Sequence, residues 1–232
     1  MFARYSIAPT PERLAERFGI EVPEGYRPRY NAAPTQLLPV ITHDSPYGLS
    51  FFYWGAPPER TKNKSVSERI INVRVESLAV KPVLRKALTS RRCLVPADGF
   101  YAWKRTGKKS TIPYRFLLRT ADLFSIAAVW EEYENQDGGM IHSFSTLTVA
   151  SNDVVGPVHD RMPAMLEKPN EKIWLDLNSD ESELIDLLQP YPADRMQAHP
   201  VSPRINVLTN DDVRLTALAP PADQYGNLSL FD

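Results

Sequence analysis

The sequence predicts an α+β fold: a largely antiparallel, barrel-like β-sheet with helices at its periphery. Runs of β-branched and aromatic residues recur along the chain, bounded by turn-forming residues. Helical patterns do not alternate with them, which disfavours a doubly wound parallel sheet. The 21 prolines against 10 glycines suit short strands and irregular loops better than a helical bundle. No repeat or low-complexity linker divides the 232 residues, so residues 1–232 are expected to form a single domain.

Taken in order, Thr10-Pro11-Glu12 opens a helix with Thr as N-cap, Pro at the first position and an acid in the first turn. Leu14 and Phe18, with Ala15 beside them, face the core, and Gly19 ends the helix. Gln36–Thr42 and Leu49–Trp54 read as strands joined by a turn at His43–Gly48. Pro57–Ser67 is polar, basic and loop-like, Ile70–Val75 is a short strand, and Val83–Leu88 is helical after Pro82. Cys93–Ala97, Pro113–Arg119, Leu123–Tyr133 and Ile141–Ala150 read as strands. Asp-Gly within Glu134–Gly139 marks a hairpin loop. Lys168–Leu175 and Asp180–Leu188 are helices, the second with capping-box spacing between Asp180 and Glu183. His199–Val201 is a short strand.

Composition excludes several classes. Apolar (43%) and charged (24%) fractions are those of a globular protein, not a disordered chain. No stretch approaches the ~20 apolar residues of a membrane span. The opening MFARYSIAPTPERLAERF sets charges where a signal peptide needs its apolar core, so a cytoplasmic protein is expected, with no membrane partner. Cys93 is the one cysteine, which rules out an intrachain disulfide and a multi-Cys zinc site. The four histidines (His43, His142, His159 and His199) are scattered without metal-ligand spacing, so neither metal nor cofactor is expected. GxGxxG, P-loop, GxSxG and HExxH patterns are absent.

Charge is segregated. Glu59 to Lys109 holds 14 Lys and Arg against four acids (Glu59, Glu68, Glu76 and Asp98), within a chain of net charge −1. Such a basic face on an acidic body suits a polyanionic partner, although ordinary solvated lysines and arginines would give the same count.

Four segments stand out: Arg29-Tyr30-Asn31-Ala32-Ala33-Pro34, Ile71-Asn72-Val73-Arg74-Val75-Glu76, Arg92 to Lys104 with its Phe100-Tyr101-Ala102-Trp103 core, and Val158-His159-Asp160-Arg161-Met162-Pro163. With Arg4-Tyr5 and Trp54-Gly55, they resemble the SRAP family (SOS response-associated peptidase) from Arg4 to His199-Pro200-Val201. The resemblance implies single-stranded DNA binding and processing of abasic sites in the DNA damage response, by a protein expected to be a monomer. Family sequences usually begin Met-Cys-Gly-Arg. The exposed cysteine captures the ring-opened abasic aldehyde as a thiazolidine, which needs an amine and a thiol on one residue.

This chain begins Met1-Phe2-Ala3-Arg4, so the thiol is missing. Phe2 is also too large to favour removal of Met1, which is expected to keep the free amine. Ala102 stands where the family has a proton-transferring Glu, and a methyl group is neither acid nor base. Of the expected catalytic positions, Asn72 and His159 remain. The resemblance implies that Asn72 orients the aldehyde or the terminal amine and that His159 exchanges protons near neutral pH. A buried role that holds the cleft's shape is the alternative for both. The resemblance further implies that Phe2, Asn72, Ala102 and His159 share one cleft.

Arg4, Arg74 and Arg161 match family arginines that hold DNA phosphates, a task that suits a planar, permanently charged fork. The alternative for Arg161 is an ion pair with Asp160. The loop Glu59–Lys64 lacks the tryptophans that the family often carries after Trp-Gly, so base stacking is not expected there. Cys93 reads as a small core residue rather than a nucleophile. Trp130 and His142 read as packing, His43 as solvated in its turn, and His199 as structural. Three readings follow: an abasic-DNA-binding protein with impaired covalent chemistry, a catalytically inactive binding or regulatory member, and, weakest, a peptidase acting on its own N-terminus, which lacks nucleophile and base.

Overall fold

Strand pairing, not strand content, organises this protein, whose computed structural model describes residues 2–57, 70–78, 80–135 and 137–228. In chain order the elements begin with β1 (Arg4–Ile7), α1 (Pro11–Phe18), β2 (Arg29–Ala32), β3 (Leu37–Thr42), β4 (Ser50–Trp54) and β5 (Asn72–Arg74). There follow α2 (Pro82–Ser90), β6 (Arg92–Ala97), β7 (Gly99–Arg105), β8 (Thr111–Leu118), β9 (Phe124–Glu134) and β10 (Met140–Ala150). The last are β11 (Arg161–Pro163), β12 (Met165–Leu166), α3 (Lys168–Leu175), α4 (Glu181–Asp186) and β13 (Met196–Pro200).

β10, β4, β3, β6 and β9 pair in turn, and β9 pairs back onto β10, which closes a five-stranded barrel. A second sheet runs β13-β8-β7-β1-β2 with every pairing antiparallel. The fold is therefore α+β as the strand-rich pattern predicts, with two parallel contacts that the pattern does not reveal: β10 against β4 and against β5.

These parallel contacts position the site. β4 occupies the edge of β10 at Ser143 and Phe144, then leaves it, and β5 takes the same edge from Thr146 to Thr148. Gly55 makes the exit possible. Its φ is 75°, and a Cβ there would stand 2.7 Å from Ile71 Cγ2. The Trp54 indole N–H donates to Ile71 O at 2.8 Å, tying the departing and arriving segments together.

α1 has the predicted caps: Thr10 Oγ1 accepts from Arg13 N at 3.4 Å, and Gly19 turns left-handed. α4 does not, because the Asp180 side chain makes no capping bond. α3 and α2 gain their C-terminal cap from an unexpected source, the buried guanidinium of Arg92. It donates to Trp174 O (2.6 Å), Asp176 O (2.7 Å) and Leu88 O (2.5 Å), carbonyls that a helix end leaves without partners.

Several boundaries differ from the sequence reading. β1, β2 and β7 are short or interrupted by small residues and carry weak local patterns. The expected Ile70–Val75 strand narrows to β5, because Val75–Ser77 turns into a 3₁₀ helix. The expected His199–Val201 strand is Met196–Pro200, set by its register on β8. His43 is not solvated: its ring stacks on Trp130 with centroids 6.3 Å apart, and its side chain is 13% exposed. Of the basic 59–109 segment and the Pro57–Ser67 loop, residues 58–69 and 79 lie outside the described residues. No helix among the described residues is long and apolar enough to cross a membrane.

Candidate functional site

Phe2 is a core residue, 1% exposed. Its ring lies 5.7 Å from Trp54 and 5.8 Å from Phe100, and Trp54 continues the cluster to Tyr5 and Phe144. The Phe2 carbonyl accepts from Asn72 Nδ2 at 2.7 Å. A carbonyl can only accept, so the amide NH₂ must face it, and Asn72 Oδ1 then turns to the Thr146 hydroxyl, which donates to it. Thr146 and Asn72 are register partners on β10 and β5, which is why the hydroxyl and amide meet. Asn72 is thus buried with both ends of its amide engaged.

Ala102 sits in the interior of β7, 1% exposed, in the same core cluster as Phe2, Phe100 and Trp54. It shares a strand face with Phe100, two residues away.

His159 is half-buried in the turn before β11. Its Nδ1 accepts from Arg161 N at 3.0 Å and lies 2.8 Å from Asp160 Oδ1. The two contacts belong to different protonation states. With Nδ1 bare the ring accepts from the Arg161 N–H, and with Nδ1 protonated it donates to Asp160. Burial lowers the His159 pKa, with the positive charge of the chain's amino terminus acting the same way and Asp160 opposing. The neutral ring therefore dominates near pH 7.

Arg161 finds its partner in Glu76, not in Asp160. Nη1 and Nη2 reach the two carboxylate oxygens at 2.7 and 3.0 Å, and Nη2 also donates to Thr148 O. That bond to Arg161 is the main reason the Glu76 carboxyl titrates below its ordinary range, with the charge of Arg74 contributing least. Arg74 itself is exposed on β5. Arg4 is half-buried. Its Nη1 donates to Ala3 O at 2.6 Å, its Nε is buried without a hydrogen-bond partner among the described residues, and burial lowers its pKa.

β10 ties together the strands that carry Asn72, Arg74 and Arg161. Thr148 is the register partner of both Arg74 on β5 and Pro163 on β11, and the Arg161–Glu76 pair bolts the two flanking segments together. Direct contact joins Phe2 to Asn72; Asn72 and His159 are joined through β10 and that pair. Thr146 and Glu76 complete the arrangement without having been assigned roles from sequence. For Thr146 the available signal was a polar residue at a buried position of an apolar strand.

The remaining histidines and the thiol stand apart. His142 stacks on Phe52 at 4.8 Å, and His199 Nε2 lies 3.0 Å from Thr216 O. Cys93 is fully buried, and burial pushes its thiol well above the ordinary range, which disfavours a thiolate. Among the described residues, no group of His, Cys, Asp and Glu is placed to hold a metal ion.

The chain has extensive likenesses among known proteins. The SOS response associated peptidase (SRAP) family model matches residues 1–208. The abasic site processing protein YoqW of Bacillus subtilis is 38% identical over 220 residues, covering 93% of this chain and 98% of YoqW. The rat abasic site processing protein HMCES is 28% identical over 241 residues, covering 87% of this chain and 67% of that protein. A crystal structure of a protein from Bacteroides thetaiotaomicron has the same fold, with a TM-score of 0.83 over 93% of this chain and 99% of that one at 22% identity. A model match from residue 1 to 208 and 38% identity over nearly the full length of a relative establish that this chain belongs to the SRAP family.

Proposed function

We propose that this protein recognises single-stranded DNA at abasic sites and holds it without the family's stable covalent link. The observation that carries this reading is the fate of Phe2: its ring is packed between Trp54 and Phe100 where the resemblance calls for a thiol. Abasic site processing by the named relatives supports DNA as the partner. In this reading Arg4 and Arg74 attract backbone phosphates, Asn72 fixes the N-terminal segment through the Phe2 carbonyl, and His159 is the group left to move protons. The protein acts as a cytoplasmic monomer, without metal or cofactor.

Without a thiol, a thiazolidine cannot close. The amine of Met1 can still attack an aldehyde carbon with loss of water, and an α-amine pKa of about 7.7–8.0 leaves a neutral fraction at pH 7. That Schiff base is reversible and permits slow β-elimination. The burial of Phe2 favours a second reading, in which the pocket is filled and the protein is an inactive family member with a binding or regulatory role.

One experiment separates these readings. Abasic and intact single strands are mixed with the protein and resolved on native and denaturing gels, with and without borohydride. The main reading expects a native shift, greater for abasic strands, and no denaturation-resistant band without borohydride. Trapping by borohydride marks a Schiff base, a shift with no trapping marks simple binding, and no shift at all removes DNA as the partner. A heat-stable adduct without borohydride refutes the non-covalent reading.

A further inference from the structure

The Arg161 fork is filled by a carboxylate of its own chain, in the geometry a phosphate would adopt. Glu76 presents two oxygens to Nη1 and Nη2 at 2.7 and 3.0 Å. A backbone phosphate offers the same two-oxygen face and the same sign of charge.

The two partners differ in freedom. The Arg161 side chain is 11% exposed and the Glu76 side chain 63%. Arg161 has a second anchor, since Nη2 also donates to Thr148 O and lies 3.4 Å from Thr148 Oγ1. The fork therefore keeps its direction when Glu76 leaves, whereas Glu76 can swing into solvent at little desolvation cost. Arg74 is exposed close by, on the strand that carries Asn72, and supplies a second positive charge.

We propose that Glu76 is an internal phosphate mimic: its carboxylate fills the Arg161 fork in the free protein and gives way to a backbone phosphate of a bound single strand. The proposal rests on the DNA-binding reading above and adds a specificity-determining residue to it. Glu76 sets a threshold that a phosphodiester must overcome, so ligands without phosphate leave the pair closed.

The test is fluorescence anisotropy with a labelled oligothymidylate over a range of salt. Glu76→Gln is expected to tighten binding by about 3–10-fold with little change in the log–log salt slope, because the wild-type complex already pairs that phosphate with Arg161. The gain should vanish when Glu76→Gln is made in an Arg161→Gln background. Glu167→Gln, which releases the exposed Arg195 instead, controls for the loss of any acid and should change affinity by less than about twofold. Unchanged or weaker binding by Glu76→Gln, or an equal gain without Arg161, overturns the proposal.

Wild-type protein supplies a measurement that needs no folded variant. The carboxylate ¹³C resonance of Glu76 should move to that of an unpaired glutamate as the oligothymidylate saturates the protein, and a resonance that stays in place overturns the proposal. Loss of the latch alone leaves wild-type DNA binding intact. If the wild type binds no oligothymidylate at any salt, the DNA reading falls and the latch falls with it.

Discussion

Shortening Phe2 to alanine removes a ring that is 1% exposed and packed on Trp54 and Phe100 at 5.7 and 5.8 Å. Phe-to-Ala changes in cores cost ~3–5 kcal/mol through lost transfer energy and residual cavity. Phe2 lies next to the chain end, where the backbone can settle into part of the space, so the low end applies, about 3 kcal/mol. For a chain of this size each kcal/mol shifts the melting temperature by about 2–4 °C, which gives a fall of about 6–12 °C. Differential scanning calorimetry of Phe2→Ala against wild type reads this directly. A second variant tests the anchor. Asn72→Ala alone strands the buried Phe2 carbonyl, at about 1–3 kcal/mol, while the Thr146 hydroxyl keeps Ile71 O at 3.2 Å as an acceptor. Because Asn72 holds the Phe2 carbonyl, the double variant should lose less than the sum of the singles. A fall below about 3 °C for Phe2→Ala would mean that the ring is not part of the core, and the argument that it fills the reactive pocket would fail with it.

Thr146→Val keeps shape but removes the hydroxyl that satisfies Asn72 Oδ1, so chemical denaturation should report a loss of about 1–3 kcal/mol. A loss under about 0.5 kcal/mol would show that the amide finds another partner. His159 carries a pH signature. Its folded pKa lies below the unfolded value of about 6.5, so between the two the unfolded chain binds more protons. Its stabilising contribution is thus complete above about pH 6.5 and is lost as pH falls through that value toward the folded pKa. Melting temperatures measured from about pH 8 to pH 5 should decline more in wild type than in His159→Gln, and identical profiles would contradict the assignment.

Features that depend on neighbours one or two turns away were legible before any fold was known. Thr10, Pro11 and Gly19 delimit α1 because caps act within a few residues. The strand-rich order without alternating helices determined the α+β class, and apolar runs marked β3, β4, β6, β9 and β10. The side-chain types at the two positions were also legible, since Phe2 has no thiol and Ala102 no carboxyl in any fold.

Which residues meet depends on long-range pairing. β4 and β5 share one edge of β10 through parallel pairing, which no local pattern encodes, and that register alone sets Thr146 against Asn72. Arg161 passes over adjacent Asp160 for Glu76, 85 positions away, because β10 ties their two segments together. His43 leaves solvent because Trp130, far away in sequence, stacks on it. Arg92 is a cap rather than a surface cation because carbonyls of α2 and α3 converge on it. In each case the side chain's own chemistry permits several partners, and the free energy of burying and pairing the whole barrel selects one.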